Sequence, residues 1–378
     1  MPKNIAVFCD GTWNSPWAPN STHVQKLYEA AHEVEQVNSK LVCGYFPGVG
    51  AGAHFTSHLG KAFDKVGGGA FGMGLTKNIL KAYEFLARTY EPGDQIFLFG
   101  FSRGAFTVRS LAGMIRKSGL PAEVTKSSVK QALELYRMRG EENHPDAPHI
   151  QTARKALSPK FATSREDLAF RDGQGDIIQI AYLGVWDTVG AMGVPNLLGK
   201  VSEFLNRRHA FHDMVLSSSV QSARHAMALD ERRYFFQPAL WNNLARLNSD
   251  FSEDEPKRSY QQVWFAGDHG MVGGSGANEA LASHTLDWVV EGAVEKGLQV
   301  DPSLLMQGVV RDPLNRKPLK IKTKAIYKLN RRKLYAWRKG PEAKAVHTLS
   351  ASADTLFGKD SGYRPKSLSR LYPNEFFT

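Results

Sequence analysis

The chain has 378 residues, 42% of them apolar and 11% aromatic, and a net charge of +11. That is enough for one large core with an extension or for two smaller domains, and it excludes a disordered chain. The charge is concentrated: Arg311 to Gly340 holds twelve Lys/Arg against one Asp, while the other residues carry 36 of each sign and cancel. No apolar run approaches the roughly 20 residues of a membrane helix. The start, MPKNIAVFCDG, has too few apolar residues for a signal h-region. The expectation is a cytoplasmic protein, or one exported without a cleaved signal. Cys9 and Cys43 lie in apolar runs without metal-ligand spacing and read as inert core thiols.

Asn4–Cys9 reads as the first buried strand, and it ends in CDGTWN. The DGT there fits the tail of the aspartyl phosphatase pattern DxDGT, but the nucleophile position of that pattern holds Phe8. Val24, Leu27, Tyr28, Ala31 and Val34 then fall on one helical face, and Lys40–Phe46 reads as a second strand. Gly48–Gly74 is glycine-rich but lacks both the P-loop and the dinucleotide spacings. It reads as turns or as a wall of an acyl pocket. A helical face follows at Ile79, Leu80, Tyr83, Leu86 and Ala87.

Gln95–Gly100 is a third apolar strand, and it runs into GFSRGA. Val108, Leu111, Ala112 and Ile115 follow at helical spacing. Strand, sharp turn and helix is the setting of a nucleophile elbow, with Ser102 at its apex. In so tight a turn, side chains two before and two after the serine would strike backbone, which explains Gly100 and Gly104. The backbone N–H of Arg103 then faces the reaction centre as one oxyanion donor. The second donor in this arrangement comes from a loop after an early strand. Gly11 or Thr12 fits that place, with Asp10 bracing the loop.

A serine hydroxyl needs a base, and the base needs an orienting acid. Strand Ile177–Trp186 ends in WDTVG, which puts Asp187 just past the sheet. Strand Tyr260–Ala266 ends in GDHG, which does the same for His269. Ser102, Asp187 and His269 thus occur in the chain order of an α/β-hydrolase triad. His347 is a rival base, but it follows no obvious core strand.

Leu281, Leu286, Val289, Val290 and Val294 lie within a further helical stretch. Alternating apolar strands and helices predict a doubly wound, mostly parallel α/β-hydrolase-like sheet. Residues 1–310 read as that domain, with cap insertions at about 120–176 and 189–240 above the C-terminal strand ends, and 311–378 as a basic extension packed on it or trailing from it. Within the second insertion, Asn196–Arg208 has a one-sided apolar face that suits a packed cap helix or an interfacial lid. The basic segment carries Tyr327, Tyr335 and Trp337. It suits an anionic membrane surface, and less readily nucleic acid.

FCDGTWN, GFSRGAF, GVWDTVG and WFAGDHGMVGG, in this order, resemble the type VI secretion phospholipase effectors of the first class, whose α/β-hydrolase domain is shared with a larger group of bacterial proteins. The resemblance runs from Ile5 to about Gly297. It implies an esterase acting on phospholipid acyl chains, with Ser102, Asp187 and His269 as nucleophile, acid and base. After the His the family usually reads Ser-Asp-Val-Gly-Gly-Gly-Tyr, whereas this chain has Gly270-Met271-Val272-Gly273-Gly274-Ser275-Gly276. The known effectors are also longer, with added membrane-facing domains. No metal or cofactor is implied, and the expected partner is a lipid or a small ester. The alternatives from other classes are a catalytically silent hydrolase-fold module that binds nucleic acid or an anionic partner through 311–340, and a carboxylesterase with no preference for lipid.

Overall fold

A computed structural model describes residues 2–49, 69–189, 215–249, 259–274, 278–306, 311–317 and 348–368, apart from positions 13, 15–20, 232, 234, 235 and 237. Its centre is a seven-stranded sheet in the order β2-β1-β3-β6-β7-β8-β9. The strands are β1 (Asn4–Cys9), β2 (Leu41–Phe46), β3 (Gln95–Phe101), β6 (Gln179–Trp186), β7 (Ser222–Ala228), β8 (Ser259–Phe265) and β9 (Thr348–Leu349). All neighbours pair parallel. β4 (Phe161–Ala162) and β5 (Asp176–Ile177) form a separate two-stranded sheet.

The near-continuous apolar strands are buried on both faces, as a parallel sheet requires. Along β1 the side chains divide by the two-residue strand period. Ile5, Val7 and Cys9 enter one core with helices Gly69–Thr89 and Arg103–Ser118. Ala6 and Phe8 enter the other with helices His23–Val37 and Glu279–Glu295. Phe8 stacks on Phe99 across the strands, with ring centroids 5.2 Å apart. Burial pushes both thiols up, so Cys9 and Cys43 are held protonated and both are free.

Two expectations about the insertions need correction. Residues 189–240 are not all excursion, because Ser222–Ala228 forms β7 inside the sheet. Its polar residues mask it in the sequence, yet each finds a partner. Ser222 donates to the Ser259 carbonyl, Arg224 pairs with Glu291 and Glu295, and His225 contacts Gln262. Residues 120–176 lie at the end of the sheet opposite to that expected. Arg154 donates to the carbonyls of Arg116 and Lys117, at the far end of the helix that starts after Ser102. Tyr90 touches Phe161 and accepts from the Gln179 N–H where β6 begins.

The late chain joins the body. β9 pairs with β8, helix Ala351–Lys359 packs against Met227, Leu229 and Trp264, and Tyr363 donates to Asp230 Oδ2 over 2.7 Å. Most of the glycine-rich stretch, Asn196–Arg208, most of the basic segment and His347 lie outside the described residues. No helix among the described residues is long and apolar enough to cross a membrane.

Candidate active site

In the strand order 2-1-3-6, the connection leaving β1 runs to one side, to β2, and the connection leaving β3 runs to the other, towards β6, which opens a crevice at the C-terminal ends of β1 and β3. Ser102 lies at this point, directly after Phe101. The register pairs Phe101 with Trp186, so Ser102 and Asp187 leave adjacent strands at the same height. Both residues adopt left-handed backbone angles, Ser102 at φ 57° and Asp187 at φ 37°. Such angles cost a non-glycine residue roughly 1–3 kcal/mol and persist only where the surroundings enforce them.

The glycines act as the sharp turn demands. A Cβ on Gly100 would stand 2.5 Å from the Gly104 carbonyl oxygen. A Cβ on Gly104 would stand 1.9 Å from the Cys9 carbonyl oxygen, at the end of the neighbouring strand. The elbow therefore needs bare backbone both within itself and against β1.

Three expected residues converge. His269 Nε2 lies 2.9 Å from Ser102 Oγ, and its Nδ1 lies 2.6 Å from Asp187 Oδ2. All three side chains are buried. Asp187 is fixed from behind, since its Oδ1 accepts from the Ala228 N–H and its own N–H donates to the Ala226 carbonyl. A carboxylate on Nδ1 dictates that Nδ1 carries the proton, which leaves Nε2 as the acceptor facing Ser102.

The loop after β1 departs from expectation in one respect. Asp10 braces it, accepting from Thr22 Oγ1 (2.8 Å) and Tyr45 OH (2.7 Å). Asp10 also takes the Gly11 N–H at 2.6 Å. That donor is committed to the brace, so Thr12 is left as the candidate for the second oxyanion N–H. Burial raises the Asp10 pKa above the ordinary carboxylate range, against the pull of the Tyr45, Thr22 and Gly11 hydrogen bonds. Arg103 begins the helix after Ser102, as required of the first donor.

Sequence reading missed the support around His269. Its imidazole packs against Phe101 and Phe236, each with ring centroids 4.6 Å away. Its backbone N–H donates to Glu231 Oε2 at 3.2 Å. Asp268 caps the short helix that His269 opens, accepting from the Met271 N–H. Glu231 is buried and pairs with Arg233 at 2.7 Å. Burial alone would push the Glu231 carboxyl up, but the Arg233 hydrogen bonds and charge hold it below its ordinary value. Only recognition of β7, which ends at Ala228, would have placed Glu231 just past a strand end.

The chain matches the T6SS phospholipase effector Tle1-like catalytic domain over residues 3–292. It belongs to this family. An uncharacterised Saccharomyces cerevisiae protein, YEL023C, is 29% identical over 261 residues, which is 66% of this chain and 34% of that protein. An uncharacterised protein from Pseudomonas aeruginosa aligns at a TM-score of 0.42 and 16% identity, covering 83% of this chain and 49% of that one. A Tle1 effector bound to the VgrG spike of the type 6 secretion system aligns at a TM-score of 0.33 and 16% identity, covering 74% and 52%. The chain thus spans about a third of the yeast relative and about half of either solved chain. The departure from the family at Met271 leaves His269 supported. The contacts that hold it come from Asp187, Glu231, Asp268, Phe101 and Phe236. The Met271 side chain turns instead to the cluster around Trp264 and Leu281.

Proposed function

We propose that the chain is a serine esterase that hydrolyses acyl esters of phospholipids. The observation that carries this reading is the relay Ser102 Oγ, His269 Nε2, His269 Nδ1, Asp187 Oδ2, with steps of 2.9 and 2.6 Å at a strained strand end. Ser102 Oγ attacks the ester carbonyl as His269 Nε2 takes its proton. Asp187 steadies the imidazolium that forms. The backbone N–H groups of Arg103 and Thr12 hold the oxyanion. His269 then returns the proton to the leaving alcohol, and water, activated by the same base, releases the acid and frees Ser102. The lipid specificity rests on the family, and the ester chemistry rests on the residues. In this reading the catalytic unit runs to about residue 310, and 348–368 closes its edge.

The test is fluorophosphonate labelling of wild type and Ser102→Ala, with short- and long-chain acyl esters assayed alongside. Labelling and turnover that disappear together in the variant support the reading, and preference for the longer chain supports a lipid substrate. A folded wild type that takes no label overturns it. Turnover confined to short esters overturns the lipid half alone.

A further inference from the structure

Phe236 touches two groups. One face of its environment is the His269 imidazole, 4.6 Å between centroids. The other contact is the Arg233 guanidinium, whose carbon lies 3.7 Å from the ring centroid. A cation is thereby held one aromatic ring away from the base of the proposed relay. Arg233 is oriented a second time by the buried Glu231. Its Nε donates to Oε1 at 2.9 Å and its Nη2 to Oε2 at 2.7 Å.

That pairing occupies only the side edge of the guanidinium. Arginine presents five N–H donors in a rigid planar fork, and a side-on carboxylate takes two of them. The end edge, made of Nη1 and the second hydrogen of Nη2, carries no hydrogen bond among the described residues. The Arg233 side chain is 34% exposed, whereas that of Glu231 is 1% exposed. The free edge is therefore the part that can meet solvent or a ligand. Two planar oxygens at that edge match a phosphate, and a fork already immobilised loses little entropy on binding one.

We propose that Arg233 is a specificity residue that binds the phosphodiester of the substrate end-on while the acyl ester lies at Ser102. This rests on the esterase reading above. In a glycerophospholipid the phosphate and the acyl carbonyl are a few bonds apart, so an anion contact beside His269 suits that geometry. A triacylglycerol or simple alkyl ester has nothing to offer this edge. Glu231 then has two tasks, holding the His269 backbone and aiming Arg233. The guanidinium stays charged, because Glu231, with Asp268 and Asp187 adding to it, raises its pKa against the effect of burial.

The experiment compares kcat/KM for a short-chain phosphatidylcholine below its aggregation threshold with that for the diacylglycerol of the same acyl length. The enzymes are wild type, Arg233→Lys, and the double variant Glu231→Gln/Arg233→Gln, which leaves no buried charge unpaired. Fluorophosphonate labelling reports that each is folded. The expected result is a phospholipid-to-diacylglycerol ratio at least tenfold lower in the double variant, carried mainly by KM, with Arg233→Lys in between. Inorganic phosphate should inhibit wild type competitively and the double variant more weakly, which separates binding of the headgroup phosphate from a lipid-surface effect. Equal losses on both esters overturn the proposal and make Arg233 a support for His269 alone. An unchanged ratio overturns it too. A wild type inactive on both esters overturns the esterase reading and this proposal with it.

Discussion

The two ends of the sheet treat buried polar groups differently. At the N-terminal strand ends, Asp167 is fully buried between Arg154 and Arg171. It also accepts from the Thr163 N–H at 2.8 Å, and all three residues have ordinary backbone angles. At the C-terminal ends, Ser102 and Asp187 are buried in left-handed conformations, and the Thr12 hydroxyl is buried with no partner among the described residues. Buried charge is common to both ends. So is a buried polar atom without a hydrogen bond among the described residues, since Arg154 Nη2 has none although it lies 2.9 Å from Asp167 Oδ1. Left-handed backbone at buried polar residues belongs to only one, because at the first end it falls on the exposed Asp172. The first end is an ion-pair network on ordinary backbone, and the second holds its buried polar side chains in strained conformations.

Substitutions on either side should break this contrast in opposite ways. At the site end, His269→Ala and Asp187→Asn are expected to lower ester turnover about 10⁴-fold. Their urea midpoints should move little. Steady-state kinetics beside denaturation curves check both halves, and a collapse of folding without a specific rate loss would erase the distinction. At the other end, Asp167→Asn leaves two buried guanidinium groups without their counter-ion and should cost roughly 3–5 kcal/mol of stability. Turnover per folded molecule, titrated with fluorophosphonate, should hold at the wild-type value.

Gly104→Ala lies on the boundary between the two behaviours, since it carries no chemistry yet shapes the site. Its methyl would press on the Cys9 carbonyl from 1.9 Å. The expected loss is roughly 3 kcal/mol of stability together with most of the activity. A soluble, fully active variant would mean that the elbow tolerates far more relaxation than its geometry implies.

The smallest effect is a pH dependence. His225 Nε2 accepts from the Thr188 N–H at 3.1 Å, one residue past Asp187. Burial, helped by the Arg109 charge, pushes its pKa down to about 3. Its ordinary value is about 6.5, so the unfolded chain takes up this proton first as pH falls. The stabilisation is complete above about pH 6.5 and is lost towards pH 3, at about 1.4 kcal/mol per pH unit. His225→Gln should make the slope of stability between pH 6.5 and 5 shallower by one proton. His23, also lowered to about 3 by burial, keeps its share of the slope in that variant. Urea midpoints at intervals across this range measure it.

Legibility in the sequence followed the same divide. The elbow could be read because its cause is local: an apolar run, two glycines and a helical face within some twenty residues. Asp187 and His269 could be placed because each follows an apolar strand. β7 could not, because the partners that satisfy Ser222, Arg224 and His225 lie as far away as Ser259 and Glu295. Glu231 and Arg233 were lost with it. The commitment of the Gly11 N–H to Asp10 depends on how one side chain folds back, which spacing does not record. The location of 120–176 turns on Arg154 reaching the end of a helix from its flank, again a tertiary fact.

The pairing of β9 with β8 has a consequence for the chain as it leaves the ribosome. Val263 finds its partner Thr348 only 85 residues later, across the whole basic segment. Until then the apolar edge of β8 is an unpaired strand, open to other nascent chains. The hydroxyl of Tyr363 and that of Ser367, which donates to the Leu229 carbonyl, arrive later still, and they secure the two residues just before Glu231. The wall behind His269 is therefore among the last parts of the molecule to be assembled. A chain stalled or cleaved before residue 348 carries Ser102, Asp187 and His269 yet lacks that wall, and its unpaired edge exposes it to aggregation.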